Sequence, residues 1–322
     1  MRVTRGIPAA ATTPVALTIG NFDGVHLGHQ AMLAELKRAA GRLGLPACVL
    51  TFEPHPREFF APDKAPTRLT SLREKLELLA GCGVDRVHIL RFNYGLAQTT
   101  AEDFIERIIA RGLGARWVLV GDDFRFGARR AGDLVMLKQA GTRLNFEVAA
   151  IGSVMLDGER ISSTALRRAL AAGDLERAGR LLGRTYSISG RVVAGDGLGR
   201  KLGFPTANVQ TRRNHPPFTG IFVVRLHGAA REPLNGAASL GVRPTVKSQG
   251  VPVLEVHALD FNGDLYRRHV RVEFLHKLRD EEKYADLATL TRQIALDVEN
   301  TIDFFNRQDA KAPGKTKTSV KF

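Results

Sequence analysis

The chain has 322 residues, room for two compact domains at roughly 100–200 residues each. With 44% hydrophobic and 25% charged residues its composition is that of an ordinary globular protein, which sets aside fibrous and low-complexity classes. The formal charge of +14 asks for a polyanionic partner, either nucleic acid or a substrate of nucleoside-triphosphate type.

In chain order, the first half alternates strand and helix. Val15 to Ile19, Ala47 to Phe52, Arg86 to Phe92, Arg116 to Val120 and Phe146 to Ile151 are short apolar runs. Such runs suit strands buried on both faces of a parallel sheet. Between them, Leu33, Leu36, Ala40 and Leu43 share one helical face, and Ser71 with Glu74 forms a capping box. The expected fold is a doubly wound, Rossmann-like α/β domain over residues 1–183, closed by the helical stretch Leu175–Leu182 with Gly183 as its stop.

From residue 184 the rhythm changes to shorter strands broken by glycine, proline and asparagine. Tyr186 to Val193, Gly220 to Leu226, Ala237 to Val242, Val253 to Asp260 and His269 to Leu275 read as a small antiparallel barrel or sandwich, the barrel being the expectation. An amphipathic helix from about Asp280 to Phe305 closes this domain, residues 184–306. Residues 307–322 carry lysine and arginine without periodicity and read as a solvated basic tail. Because the tail holds part of the charge, no dedicated nucleic-acid partner is expected. Cys48 and Cys82 sit in apolar stretches with no CxxC pair and read as buried free thiols. No run approaches the ~20 apolar residues of a membrane span, and no apolar signal core follows Arg2 and Arg5. A cytoplasmic protein without a membrane partner is expected; self-association is left open.

The sharpest motif runs Gly20-Asn21-Phe22-Asp23-Gly24-Val25-His26-Leu27-Gly28-His29, between the first strand and the first helix. Ligands of open α/β sheets bind at the carboxyl ends of strands, where this turn must lie. Its glycines admit close backbone approach, and a helix N-terminus offers N–H groups to phosphate. His26 and His29 could donate there to phosphate oxygens. A glycine-rich turn with two satisfied histidines is the plainer alternative, and a zinc site lacks further ligands at suitable spacing. Further along, Ile161-Ser162-Ser163-Thr164-Ala165-Leu166-Arg167 sets hydroxyls at a helix start with an arginine one turn on, either a cap or an anion clamp. Thr51-Phe52-Glu53-Pro54-His55-Pro56 and Val120-Gly121-Asp122-Asp123-Phe124-Arg125-Phe126-Gly127 bring aromatics and polar groups to the same rim. There they could stack a flat heteroaromatic ring or simply pack.

In the second half stands Gly195-Asp196-Gly197-Leu198-Gly199-Arg200-Lys201-Leu202-Gly203-Phe204-Pro205-Thr206-Ala207-Asn208. Arg200 takes the third glycine's place in a dinucleotide loop, and Gly314-Lys315-Thr316 has Asp309 where a Walker loop needs glycine, so both readings fail. What remains is a glycine-rich flap. Thr206 and Asn208, two apart on an extended segment, point the same way and offer hard oxygen ligands suited to magnesium. In the strand Leu254–Phe261, Glu255 lies between apolar neighbours, either a solvent-facing residue or a general base.

The histidine turn and the Ile-Ser-Ser-Thr segment resemble the two signatures of the nucleotidyltransferase superfamily. With the aromatic rim they are similar to the FMN adenylyltransferase module of bacterial FAD synthetases. The flap, Gly220-Ile221-Phe222, Gly241-Val242-Arg243-Pro244-Thr245 and the Glu255 strand resemble riboflavin kinase. The resemblance implies a bifunctional enzyme that takes ATP, riboflavin and FMN, with Mg2+ accompanying ATP and FMN and FAD as products. It implies ATP contacts at Gly20, Phe22, Asp23, Gly28, Ser163, Thr164 and Arg167, with His26 and His29 catalytic. It implies flavin contacts at Phe52, Pro54, His55, Asp123 and Phe126. In the second half it implies ATP contacts at Gly199, Lys201, Gly203, Pro205, Thr206 and Asn208, magnesium at Thr206 and Asn208, and Glu255 as the base acting on the flavin 5′-hydroxyl. A nucleotidyltransferase for another phosphorylated acceptor, or a non-catalytic flavin- or RNA-binding protein, are the competing expectations.

Overall fold

Continuous apolar strands have no polar face to leave in water, and here they pair into a six-stranded, all-parallel sheet. The computed structural model describes residues 1–211, 213, 215–245 and 248–311, with side chains at all of these but 243–245, 248–251 and 311. Residues 312–322, with most of the expected tail and Gly314-Lys315-Thr316, lie outside the described residues. The chain divides into two compact units, Met1–Arg167 with Leu181–Gly183, and Arg168–Arg180 with Arg184–Phe322.

In the first unit β1 (Arg2–Arg5), β2 (Val15–Ile19), β3 (Ala47–Glu53), β4 (Arg86–Arg91), β5 (Ala115–Gly121) and β6 (Glu147–Ile151) lie in the order β1-β4-β3-β2-β5-β6. The helices are α1 (Leu27–Leu43), α2 (Pro56–Phe60), α3 (Leu72–Gly81), α4 (Tyr94–Ala97), α5 (Ala101–Asp103) continuing as the π-helical Phe104–Gly112, and α6 (Leu134–Leu144). Alternate strand residues feed two cores. Leu17, Leu50, Val118 and Val120 pack with Phe104, Ile105, Ile109 and Leu137 on one face. Ala16, Val49, Trp117 and Leu119 pack with Leu33, Leu36 and Leu79 on the other. Strand order reverses at β2, so the loops after β2 and β5 flank the crevice where a doubly wound sheet binds ligands.

A small hairpin of β7 (Met155–Leu156) and β8 (Glu159–Arg160) precedes α7 (Ser163–Ala171) and α8 (Leu175–Leu182). Gly183 follows α8 at φ 67°, the left-handed stop expected of it.

The second unit is a closed antiparallel barrel. Its strands are β9 (Ser187–Val193), β10 (Ala207–Gln210), β11 (Gly220–His227), β12 (Leu234–Thr245), β13 (Ser248–Ala258) and β14 (His269–Arg279), ordered β10-β13-β12-β11-β14-β9. The short helix α9 (Leu198–Lys201) lies in the flap, and α10 (Leu287–Lys311) follows the barrel. Phe218, Phe222 and Phe274 pack edge to face with centroids 4.9–5.4 Å apart, the geometry aromatic quadrupoles favour.

Several expectations change. β1 is a short polar edge strand, Arg-Val-Thr-Arg, with no apolar run to announce it. Leu43 is exposed, and Ala39 joins Leu33, Leu36 and Ala40 on the buried face of α1. Helix α10 starts at Leu287 rather than near Asp280, because Asp286 caps it by accepting the Thr289 N–H at 2.7 Å. It ends at Lys311, so residues 307–311 are helical. Cys48 is buried, its thiol pushed up to about 12 by desolvation, whereas Cys82 is only half-buried.

Trp117, the one tryptophan, is buried in the sheet unit and reports on that unit alone. Phe222→Ala should destabilise the barrel by about 3–5 kcal/mol. The expected readout is an earlier barrel transition in far-UV circular dichroism, with the Trp117 emission transition left in place.

Candidate functional sites

In the sheet unit the site is built on a strained turn. Phe22, Gly24 and Val25 have φ of 48°, 85° and 41°, the left-handed region that favours glycine. At Gly24 a Cβ would also meet Leu166 and Leu69 at 3.1 Å. The turn delivers His26 to the N-cap of α1, where its Nδ1 accepts the His29 backbone N–H at 3.3 Å. Accepting at Nδ1 puts the proton of the neutral His26 ring on Nε2. The two imidazoles stack at 3.7 Å between centroids, 18° from parallel. Phe22 lies 5.1 Å from His29 on its other side. His29 Nδ1 is buried without a hydrogen-bond partner. Desolvation by burial, with the neighbouring His26 and Lys75 adding to it, holds the His29 pKa well below 6.5.

Asp23 is buried and fully engaged. Its Oδ1 accepts from Thr70 N at 3.0 Å and Thr70 Oγ1 at 3.1 Å; its Oδ2 accepts from Leu69 N at 3.2 Å and Arg167 Nη2 at 2.5 Å. Arg167 Nε donates to Thr67 O at 2.7 Å, and Ser163 Oγ donates to Asp23 O at 3.0 Å. Ser162, not Ser163, caps α7, accepting Ala165 N at 3.1 Å. Thr164 is exposed. The two sequence signatures therefore meet through Asp23 and Arg167, whose charges serve each other as well as any ligand.

On the rim, Phe52, Pro54 and His55 are half-buried at the end of β3, and burial lowers the His55 pKa. Asp123 is exposed and paired with Arg160 at 2.8 Å. Two of the expected contact residues point inward. Phe22 is wholly buried in the core, and Phe126 is 6% exposed, packed on Phe124 and Phe104. Apolar rings in a glycine-rich turn were free to fall inward. Phe124, half-buried beside Phe126, is the ring that borders the rim.

In the barrel unit a cavity of about 300 Å³ lies among the flap, β10, β12, β13 and α10. Thr206, Asn208 and Glu255 all line it. Along β13, Leu254 and Val256 are buried in the core while Glu255 turns to the cavity. Register places Glu255 beside Asn208 on one side and Ser239 on the other, and Thr206 Oγ1 stands 3.5 Å from Glu255 Oε2. The flap closes tightly here: a Cβ on Gly199 would fall 2.4 Å from Phe204 O and 3.1 Å from Thr206 Oγ1. Lys201, Gly203 and Pro205 are exposed on the same flap and do not line the cavity; the Pro205 carbonyl bonds His257 Nδ1 at 2.9 Å. Hydroxyl, amide and carboxylate oxygens on one wall are the donor set a magnesium ion accepts. Among the described residues no group of three or more His, Cys, Asp or Glu could hold a metal ion.

The FAD synthetase family model matches residues 9–165, and the riboflavin kinase family model matches residues 182–305. The bifunctional riboflavin kinase/FMN adenylyltransferase of Escherichia coli (strain K12) is 48% identical over 309 residues, covering 95% of this chain and 98% of that one. The chain belongs to this bifunctional family. The Pseudomonas fluorescens member is 50% identical over 281 residues, covering 87% of this chain and 90% of that one. A crystal structure from Streptococcus pneumoniae, described as a macrolide-efflux protein, matches with a TM-score of 0.80 at 29% identity, covering 94% of this chain and 99% of that one. Among the described residues no helix is long and apolar enough to cross a membrane.

Sequence reading gave no role to a set of charged residues around the two candidate sites. Lys75, next to the Glu74 of the capping box, is buried on α3, and burial pushes its pKa down. Arg68, Glu53 and Glu58 form a partly buried ion cluster. In the barrel, Arg279 grips Asp297 of α10 at 2.9 and 2.7 Å. Glu281 lines the cavity, its pKa raised by burial against the opposing hydrogen bond from Ser239. None lies in a glycine-marked motif, and helical or strand spacing alone gives such residues no signature.

The low pKa of His29 fixes a pH dependence. Below pH 6.5 the unfolded chain takes up a proton that the folded imidazole resists, so stability falls as pH drops through that window. His29→Asn should reduce the acid-induced loss of stability of the sheet unit between pH 7.5 and 5.5, read from urea midpoints by Trp117 emission.

Proposed function

We propose that the barrel unit transfers the γ-phosphoryl group of ATP to the 5′-hydroxyl of riboflavin, and that the sheet unit joins the resulting FMN to a second ATP. The convergence of Glu255, Thr206 and Asn208 on one cavity carries the first assignment. There Glu255 takes the proton of the flavin hydroxyl while its oxygen bonds to the γ-phosphorus, the bond to ADP breaks, and FMN forms. Thr206 Oγ1 and Asn208 Oδ1 would hold magnesium, which would offset the negative charge of the ATP phosphates. The flap backbone around Gly199 covers the phosphates.

In the sheet unit an FMN phosphate oxygen attacks the α-phosphorus of ATP. The bond to the β-phosphate breaks, leaving FAD and pyrophosphate. The N-terminus of α1, the Nε2–H of His26 and the neutral His29 donate hydrogen bonds to the phosphates in a site that favours fixed dipoles over mobile charge. Ser163 and Thr164, at the start of α7, complete the phosphate end. Gly20 and Gly28 let the backbone come close, and Asp23 with Arg167 keeps the turn in shape. Phe52, Pro54, His55 and Asp123 form the flavin rim, with Phe124 offered in place of Phe126.

The test separates the two chemistries. Glu255→Gln should lower FMN formation from riboflavin by about 10²–10⁴-fold while FAD formation from supplied FMN stays at the wild-type rate. Wild-type riboflavin phosphorylation by this variant would remove Glu255 from the role of base.

A further inference from the structure

We propose that Arg68 is a positioning residue for adenylyl transfer, holding the flavin rim against the nucleotide-binding turn through the strap Thr67–Thr70. The proposal rests on the adenylyltransferase reading above. Every residue of the strap is bonded outward. Thr67 O accepts from Arg167 Nε at 2.7 Å. Leu69 N and Thr70 N donate to the Asp23 carboxylate at 3.0–3.2 Å. Between them Arg68 turns the other way. Its Nε donates to Glu58 Oε1 at 2.5 Å, and its Nη2 bonds Glu58 Oε2 and lies 2.7 Å from Glu53 Oε1.

Those two glutamates bracket the rim. Glu53 ends β3, and Glu58 closes the capping box of α2 by accepting His55 N at 3.1 Å. One guanidinium thus spans both ends of the segment that carries Pro54 and His55, while its flanking peptide groups are tied to Asp23 and Arg167. A planar fork can engage two carboxylates at fixed angles; an ammonium acts as a point charge and cannot. The pairs are partly buried, with Glu58 the more enclosed partner, which sets them apart from exposed ion pairs of little effect.

A small cavity beside the strap could be read as a phosphate pocket, since Arg68, Lys75 and Arg167 line it. Asp23, Glu53 and Glu58 line it too, so the cations face as many carboxylates. That balance leaves no net positive charge to draw an anion, and the cluster acts as a clamp.

Steady-state FAD synthesis from FMN and ATP by the full chain tests this. In Arg68→Lys the KM for FMN should rise roughly ten-fold or more, as expected of a displaced rim, while the KM for ATP holds. An unchanged KM for FMN, or equal rises for both substrates, would overturn the proposal; Trp117 emission checks that the variant is folded. Should Arg68→Lys not fold, Glu58→Gln, which leaves the Glu53 contact in place, should show the same split, and a wild-type KM for FMN there overturns it equally. Absence of FAD from the wild-type reaction would instead sink the adenylyltransferase reading itself.

Discussion

A single buried carboxylate organises the nucleotide end of the sheet unit. Asp23 gathers backbone and side-chain donors from Leu69, Thr70 and Arg167, residues 46 to 144 positions away in the chain. Left alone, a carboxylate at that depth would carry a severe desolvation penalty; hydrogen bonds and the guanidinium offset it. Removing either charge of such a pair typically costs about 3–5 kcal/mol, because the other is left uncompensated. The left-handed backbone at Phe22, Gly24 and Val25 persists because Asp23 and its partners over-determine it. With the turn held, His26 is delivered to the helix cap and His29 to its stacking position.

The two candidate sites offer different means for phosphate chemistry. In the proposed mechanism the sheet unit offers a helix N-terminus and two imidazoles, so fixed dipoles rather than a mobile positive charge would meet the ligand. The barrel uses a carboxylate beside hydroxyl and amide oxygens on adjacent strands, with α10 packed over the cavity through the Arg279–Asp297 fork. The difference follows from the folds: a parallel sheet presents loops and helix starts at one edge, whereas an antiparallel barrel presents alternating side chains along its wall.

Much of this could be read from residue order. Apolar runs without alternation gave the parallel strands β2 to β6, and the glycine-punctuated strands gave the barrel. Motifs held together by local chain geometry, such as the histidine turn and the Thr206–Asn208 pair, were legible because spacing alone sets which residues share a face. Arg68, Lys75, Glu281 and the Asp23–Arg167 link were not, since each acquires its meaning from a partner distant in sequence. Phe22 and Phe126 lie deeper than their turns suggest for a related reason: an aromatic in a turn looks available until its neighbours show a core to receive it. The edge strand β1 was missed because its pairing with β4 relies on backbone bonds, not on apolar side chains.

The central claim is that one chain carries both steps, from riboflavin to FMN and from FMN to FAD. Purified protein given riboflavin, ATP and magnesium, with flavins resolved over time, tests it most directly. FMN should appear first and then give way to FAD, with pyrophosphate released alongside the FAD. FMN that accumulates without FAD, or riboflavin that remains unphosphorylated, would contradict the account.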